Sequence, residues 1–255
     1  MLLAVDIGNT NMKLAAFDGE RIVASDRIPT KESISPVTAT TLICESLAQH
    51  GIRKQDISGI VFCSVVPPLT TMLERAAADT FGVTALDVKE AEDRGVRLDV
   101  DKPDGVGTDR IVNAAAAYGL FGGPAIVVDF GTATTFDVVT GSGIFVGGVI
   151  APGISLASEA LTARAAQLPP IKPVFPDNVI GRDTDQAMRS GLMYGYVGLM
   201  ESLIRRIRAE IGSETKVIAT GGLVETIAEK TDIIDELEPD LTLQGLRLIW
   251  ELNQE

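Results

Sequence analysis

The stretch Ala4-Val5-Asp6-Ile7-Gly8-Asn9-Thr10 returns in outline as Val127-Val128-Asp129-Phe130-Gly131-Thr132-Ala133. Each copy is an apolar strand that ends on an aspartate, an apolar residue and a glycine, and then turns through small residues. Working outward from either copy gives nearly the same order of elements. After the first, Met12 to Phe17 reads as a returning strand, Asp18-Gly19 as a hairpin turn and Arg21 to Ile28 as a third strand. A helix from about Pro36 to Gln49 follows, its apolar face drawn from Val37, Thr41, Ile43, Cys44, Leu47 and Ala48. Ile60 to Val66 is a buried strand, Pro67-Pro68 starts a helix running to about Phe81, and Val83 to Val88 is the next strand. After the second copy come strands at Thr134 to Val139 and Ile144 to Ile150, helices at Ile154 to Arg164 and Thr184 to Ile211, and a buried strand at Lys216 to Thr220. This pattern predicts a duplicated α/β fold, residues 1–107 and 108–255, with mixed sheets flanked by helices and a cleft between the halves.

Composition narrows the function. The 255 residues are 45% hydrophobic and 22% charged, which excludes a disordered chain and suits one large domain or two smaller ones. Apolar runs such as Ile60 to Val66 are far shorter than the roughly 20 residues of a membrane span. No basic leader precedes Leu2-Leu3-Ala4-Val5, so a cytoplasmic protein without a signal peptide is expected. A net charge of −13 argues against nucleic acid as partner. A polyphosphate ligand would therefore be held by backbone N–H groups, a few placed cations and metal ions. Cys44 and Cys63 are too few for a disulfide framework, and Cys63 reads as a small buried hydrophobe. His50, the single histidine, reads as a cation at a helix C-terminus. Proton transfer then falls to carboxylates.

Four segments could carry chemistry. In Asp6 to Lys13, a glycine turn aims successive N–H groups at one point, a nest suited to phosphate, with Lys13 on the returning strand as a cation. Its bland counterpart is an ordinary hairpin. Gly131-Thr132-Ala133-Thr134-Thr135 is the matching loop. Asp6 and Asp129 near one polyphosphate would require a cation between like charges, Mg²⁺ on the nucleotide being the usual case. Ala219-Thr220-Gly221-Gly222 leaves room for a flat ring beside the backbone. Gly105-Val106-Gly107-Thr108-Asp109-Arg110 either caps a helix or forms a substrate site, with Asp109 accepting a hydroxyl proton and Arg110 pairing with a carboxylate. Gln167 to Asp183, rich in proline, is a connector or part of a binding wall.

The Asp6 to Thr10 start, the Gly107 to Arg110 segment, the Asp129 to Thr135 loop and the Gly147-Gly148-Val149-Ile150-Ala151-Pro152-Gly153 run together resemble the type III pantothenate kinase family. The match in order and spacing covers essentially the whole chain. The resemblance implies a duplicated ribonuclease-H-like fold of the actin/hexokinase/Hsp70 kind, a homodimer, and ATP-dependent phosphorylation of pantothenate, the first step of coenzyme A synthesis. It implies ATP contacts from Asp6, Ile7, Gly8, Asn9, Thr10, Asn11, Met12, Lys13 and Thr132, with Mg²⁺ accompanying ATP. It also implies Asp109 as proton acceptor, a pantothenate site at Gly107, Thr108, Asp109, Arg110 and Thr184, and a monovalent cation, K⁺ or NH₄⁺, at Asp129. Val100-Asp101-Lys102-Pro103 departs from the family, which usually has an aromatic residue and Asn-Pro there. Two alternatives stand beside this reading. One is another small-molecule kinase or phosphatase of the superfamily, and the other is a non-catalytic nucleotide-binding regulator.

Overall fold

The structure is a computed structural model and describes residues 1–30, 35–164 and 168–254. The chain divides into two compact units, Met1–Phe121 with Leu241–Glu255, and Gly122–Asp240. The packing thus draws its line elsewhere than between residues 107 and 108, because two helices expected in the second half join the first sheet.

In the first unit, β1 (Leu2–Ile7), β2 (Asn11–Asp18) and β3 (Arg21–Pro29) form an antiparallel meander. β4 (Gly59–Ser64) and β5 (Ala85–Asp87) add in parallel on the other side of β1, giving the order β3-β2-β1-β4-β5. Alternation along β1 and β2 sends Leu3, Val5, Ile7, Met12 and Leu14 to one face. There they meet Ile43 and Leu47 of α1 (Pro36–Gln49) and Leu69 and Leu73 of α2 (Pro67–Ala76). Ala4, Ala15, Phe17, Val61 and Cys63 face the other way. They pack on Val112 and Ala115 of α3 (Thr108–Phe121) and on Leu243, Leu246 and Ile249 of α7 (Leu241–Leu252). Thr242 Oγ1 donates to Asn113 Oδ1 (2.8 Å), a buried bond that ties α7 to α3. A two-residue strand, β6 (Arg97–Leu98), lies in the connection before α3.

The second unit repeats the plan. β7 (Ala125–Phe130), β8 (Ala133–Val139) and β9 (Ile144–Pro152) make the meander. β10 (Lys216–Gly221) and β11 (Glu236–Leu237) then add in parallel beside β7. The five strands of this unit run in the order β9-β8-β7-β10-β11, which corresponds to the order of the first sheet. The core lies between Ile126, Val128, Phe136, Val217 and Ala219 and the helices α4 (Ile154–Arg164), α5 (Thr184–Ile211) and α6 (Val224–Ala228). With mixed sheets flanked by helices in both units, the chain has the duplicated ribonuclease-H-like fold expected from the sequence.

Several expectations change in detail. On α1 the buried face is Ala39, Ile43, Ser46 and Leu47, whereas Val37, Thr41 and Ala48 are exposed. The helix begins at Ser35, whose Oγ accepts from the Thr38 N–H (3.1 Å), and this phase turns Val37 outward. Leu192, Met193, Val197 and Met200 of α5 are buried in the core of their own unit. Gln167, where the proline-rich loop is expected to begin, lies outside the described residues. No helix among the described residues is long and apolar enough to cross a membrane.

Candidate active site

The residues singled out in the first unit converge on one face of its sheet. Asp6 is the penultimate residue of β1, and the register places Lys13 of β2 on one side of it and Cys63 of β4 on the other. Paired residues across a ladder share a face, so a carboxylate stands between an ammonium and a thiol. The Cys63 S–H donates to Asp6 Oδ1 (3.5 Å). Burial, then the charge of Asp6, then that of Asp109 push the Cys63 thiol well above the ordinary cysteine value. Asp109, in the first turn of α3, therefore acts on the same buried thiol as Asp6. Asp6 is hydrogen-bonded to this thiol, and the charge of Asp109 reaches it from the start of α3.

The Gly8 turn differs from the expected nest. The Gly8 N–H bonds to the Asn11 carbonyl (3.0 Å), so this donor closes the loop on itself. Ile7 and Met12 put their side chains into the core, each 1% exposed, and present only backbone to the loop. Asn9 and Thr10 are exposed at the tip. At the start of α3 the Gly107 carbonyl accepts from the N–H groups of Arg110 (3.1 Å) and Ile111 (3.3 Å). The Thr108 hydroxyl is buried and makes no hydrogen bond among the described residues, so it does not cap the helix. Asp109 folds back over Gly107: a Cβ there would stand 2.5 Å from Asp109 Oδ1, which is why a glycine precedes the Thr-Asp-Arg run.

The second unit builds its own loop at the end of β7. Gly131 N–H bonds to the Ala133 carbonyl (3.1 Å), the same internal closure as in the first loop. Gly153 donates to the Thr132 carbonyl (3.0 Å), and a Cβ on Gly153 would overlap the carbonyl oxygens of Gly131 and Thr132. The glycine that ends the Gly147 to Gly153 run thus holds Thr132 in place. Gly221, in the left-handed region at φ 101°, lets β10 close against β7. A side chain there would stand 2.6 Å from the Phe130 nitrogen and 2.7 Å from Asp129 Oδ1. The double glycine read as ring space is thus also a packing requirement beside Asp129. Thr184 opens α5 and is exposed, next to the cap formed by Asp183 on the Gln186 N–H (2.8 Å).

Two residues of these loci carried no role in the sequence reading. Cys63 was one apolar residue in an apolar run, and only the register with Asp6 shows its contact. Asp137, on β8, is a fully buried carboxylate that accepts from Thr135 Oγ1 (3.1 Å). A charged residue inside the otherwise apolar run Phe136 to Val139 was its available signal.

The sequence model of the type III pantothenate kinase family matches residues 2–206. A type III pantothenate kinase of Roseiflexus castenholzii is 45% identical over 255 residues, covering all of both chains. Among solved structures, the ethanolamine utilization protein EutJ from Carboxydothermus hydrogenoformans has a TM-score of 0.59 at 15% identity, covering 97% of this chain and 89% of that one. The inorganic polyphosphate/ATP-glucomannokinase of an Arthrobacter strain has a TM-score of 0.51 at 15% identity, with 98% of both chains covered. The structural matches speak for the fold. The family model and the full-length identity go further, and by them the chain belongs to the type III pantothenate kinase family.

Proposed function

We propose that Asp109 is the proton acceptor in the reaction this chain catalyses, the ATP-dependent phosphorylation of pantothenate that opens coenzyme A synthesis. As the primary hydroxyl of pantothenate bonds to the γ-phosphorus, its proton passes to the Asp109 carboxylate and ADP leaves. The observation that supports the assignment is that Asp109, in the first turn of α3, lies near enough to the buried Cys63 for its charge to act on the thiol that hydrogen-bonds Asp6. Arg110 pairs with the carboxylate of pantothenate in this reading, with Gly107, Thr108 and Thr184 as further substrate contacts. Asp6 to Lys13 and Thr132 take ATP, with Lys13 as the cation for its phosphates. Because the Gly8 N–H is engaged within the turn, the side chains and remaining amides of Asn9, Thr10 and Asn11 serve as donors.

The kinase uses ATP with a divalent metal ion, and we assign Mg²⁺. A metal that arrives on a nucleotide keeps phosphate and water ligands and needs only one or two carboxylates, and Asp6 fits that role. At Asp129 we assign a monovalent cation, K⁺ or NH₄⁺. Asp129 has Thr135 and Thr220 as its cross-strand neighbours and a buried carboxylate oxygen, hard oxygen chemistry that suits such an ion. When bound, these cations offset phosphate charge. The protein's own part is to position the reactants and take the proton. A cytoplasmic homodimer without nucleic-acid or membrane partners completes the proposal. The net charge of −13 supports its exclusion of phosphate backbones, and sedimentation tests its dimer.

Asp109→Asn is the test. Loss of a general base should lower kcat by roughly 10²–10⁴-fold while the dissociation constant for ATP stays near the wild-type value. Near-normal turnover in that variant overturns the assignment.

A further inference from the structure

The two units solve one local problem in different ways. Opposite Asp6 in the first sheet stands Lys13, and two residues further along β2 stands Ala15, which is buried. Opposite Asp129 in the second sheet stands Thr135, and two residues further along β8 stands Asp137. Where the first unit sets a lysine and an alanine, the second sets a hydroxyl and a fully buried carboxylate. On its other side along the sheet Asp129 has Thr220, so its strand neighbours are threonines on both sides.

A carboxylate at 0% exposure is costly to keep in a sheet, which makes its position informative. Its cross-strand neighbours are Val127 on β7 and Gly148 on β9. Its hydrogen bond from Thr135 Oγ1 (3.1 Å) has a specific chemical effect. A hydroxyl has one proton and two lone pairs. Committing the proton to Asp137 leaves the lone pairs of Thr135 Oγ1 for another electrophile. Thr135 and Asp129 are half-buried, whereas Asp137 is fully buried.

We propose that Thr135 supplies a ligand oxygen to the monovalent cation held at Asp129, and that Asp137 is the positioning residue that fixes this hydroxyl with its lone pairs outward. This rests on the assignment of a cation to Asp129 made above and extends it to two residues. Outer partners that orient a ligating group are the usual second layer of a cation site.

The experiment is the melting temperature of the full chain, without nucleotide, as KCl replaces choline chloride at constant ionic strength. An ion that binds the folded state raises the melting temperature along a saturable curve, and its midpoint reports affinity. Thr135→Val, which keeps the shape and removes the oxygen, should raise the half-saturating K⁺ concentration about 10–100-fold, and Asp137→Asn should do the same. Thr135→Ser should restore a midpoint near wild type, which a role in packing alone would not produce. A wild-type K⁺ midpoint in Thr135→Val overturns the proposal. Should Asp137→Asn not fold, Asp137→Glu gives the same readout, and an unchanged midpoint in either overturns the positioning role. A wild-type chain indifferent to K⁺, or Asp129→Asn responding like wild type, overturns the Asp129 assignment itself, a result separate from failure of Thr135 alone.

Discussion

Cys63 shows how one residue links the core to the chemistry. It belongs to the apolar layer under α3 and α7, yet its S–H meets the Asp6 carboxylate. Burial and the nearby charges of Asp6 and Asp109 raise its pKa in the folded state, whereas the unfolded chain exposes an ordinary thiol at about 8.5. The folded state therefore holds the proton more tightly. The stabilisation linked to it is fully present below about pH 8.5 and is lost as the pH rises from there toward the folded value. Urea midpoints measured from pH 7 to 10 should fall on the alkaline side in the wild type. In Cys63→Ser, which keeps only the Cys44 thiol, that slope should become shallower, whatever the variant loses at neutral pH. An equal alkaline slope in both proteins would remove Cys63 as its source. In the native protein the thiol should also resist alkylation at pH 8, because both burial and protonation suppress the thiolate.

Among the elements, α3 and α7 approach closely at Gly245. A Cβ there would overlap the Val112 carbonyl oxygen and stand 2.8 Å from Val112 Cγ1. Gly245→Ala should gain about 1 kcal/mol of helix propensity, but the clash is with backbone and relaxes only if α3 moves. Overpacking of this kind costs about 1–3 kcal/mol, so a net loss is expected, read as a lower urea midpoint with an unchanged m-value. An unchanged or higher midpoint would show that the helices can part at little cost. The same contact marks the limit of what the sequence discloses. The meanders and loops were legible because alternation, Gly turns and the repeated Asp-x-Gly are local signals. The return of α7 to the first sheet was not, since its partners Ala4, Phe17 and Val61 lie far away along the chain and any apolar stripe would look alike. Within the site, Asp6, Asp109 and Asp129 stood out as candidates because each sits in a recognisable motif. The inward Gly8 N–H, the Cys63 contact and the Thr135–Asp137 bond depend on register, which single residues do not reveal.

At the scale of the molecule, the C-terminal segment belongs with the first unit and not with the second, which precedes it in the chain. The second unit ends at Asp240, and the chain then crosses back to complete the first. α7 buries Leu241, Leu243, Leu246 and Ile249 to within about 1% of full burial, and Thr242 bonds Asn113. Four such side chains contribute roughly 1.5–3 kcal/mol each, about 6–12 kcal/mol in gross terms. That is comparable with the whole net stability of a domain, about 5–15 kcal/mol. Removing residues 241–255 should therefore unfold the first unit, while Gly122–Asp240 retains its own core of β7, β8, β10 and α5. Limited proteolysis should then yield a protected fragment near residues 122–240, and Cys44 and Cys63, both in the first unit, should become alkylatable in buffer without denaturant. The contrast with a shorter cut is decisive. Removing Gln254 and Glu255 leaves every buried α7 side chain in place and should leave both thiols as slow to react as in the intact chain. If the longer truncation keeps Cys63 protected, the sheet and α3 close the first unit unaided, and α7 is an attachment to it rather than one of its walls.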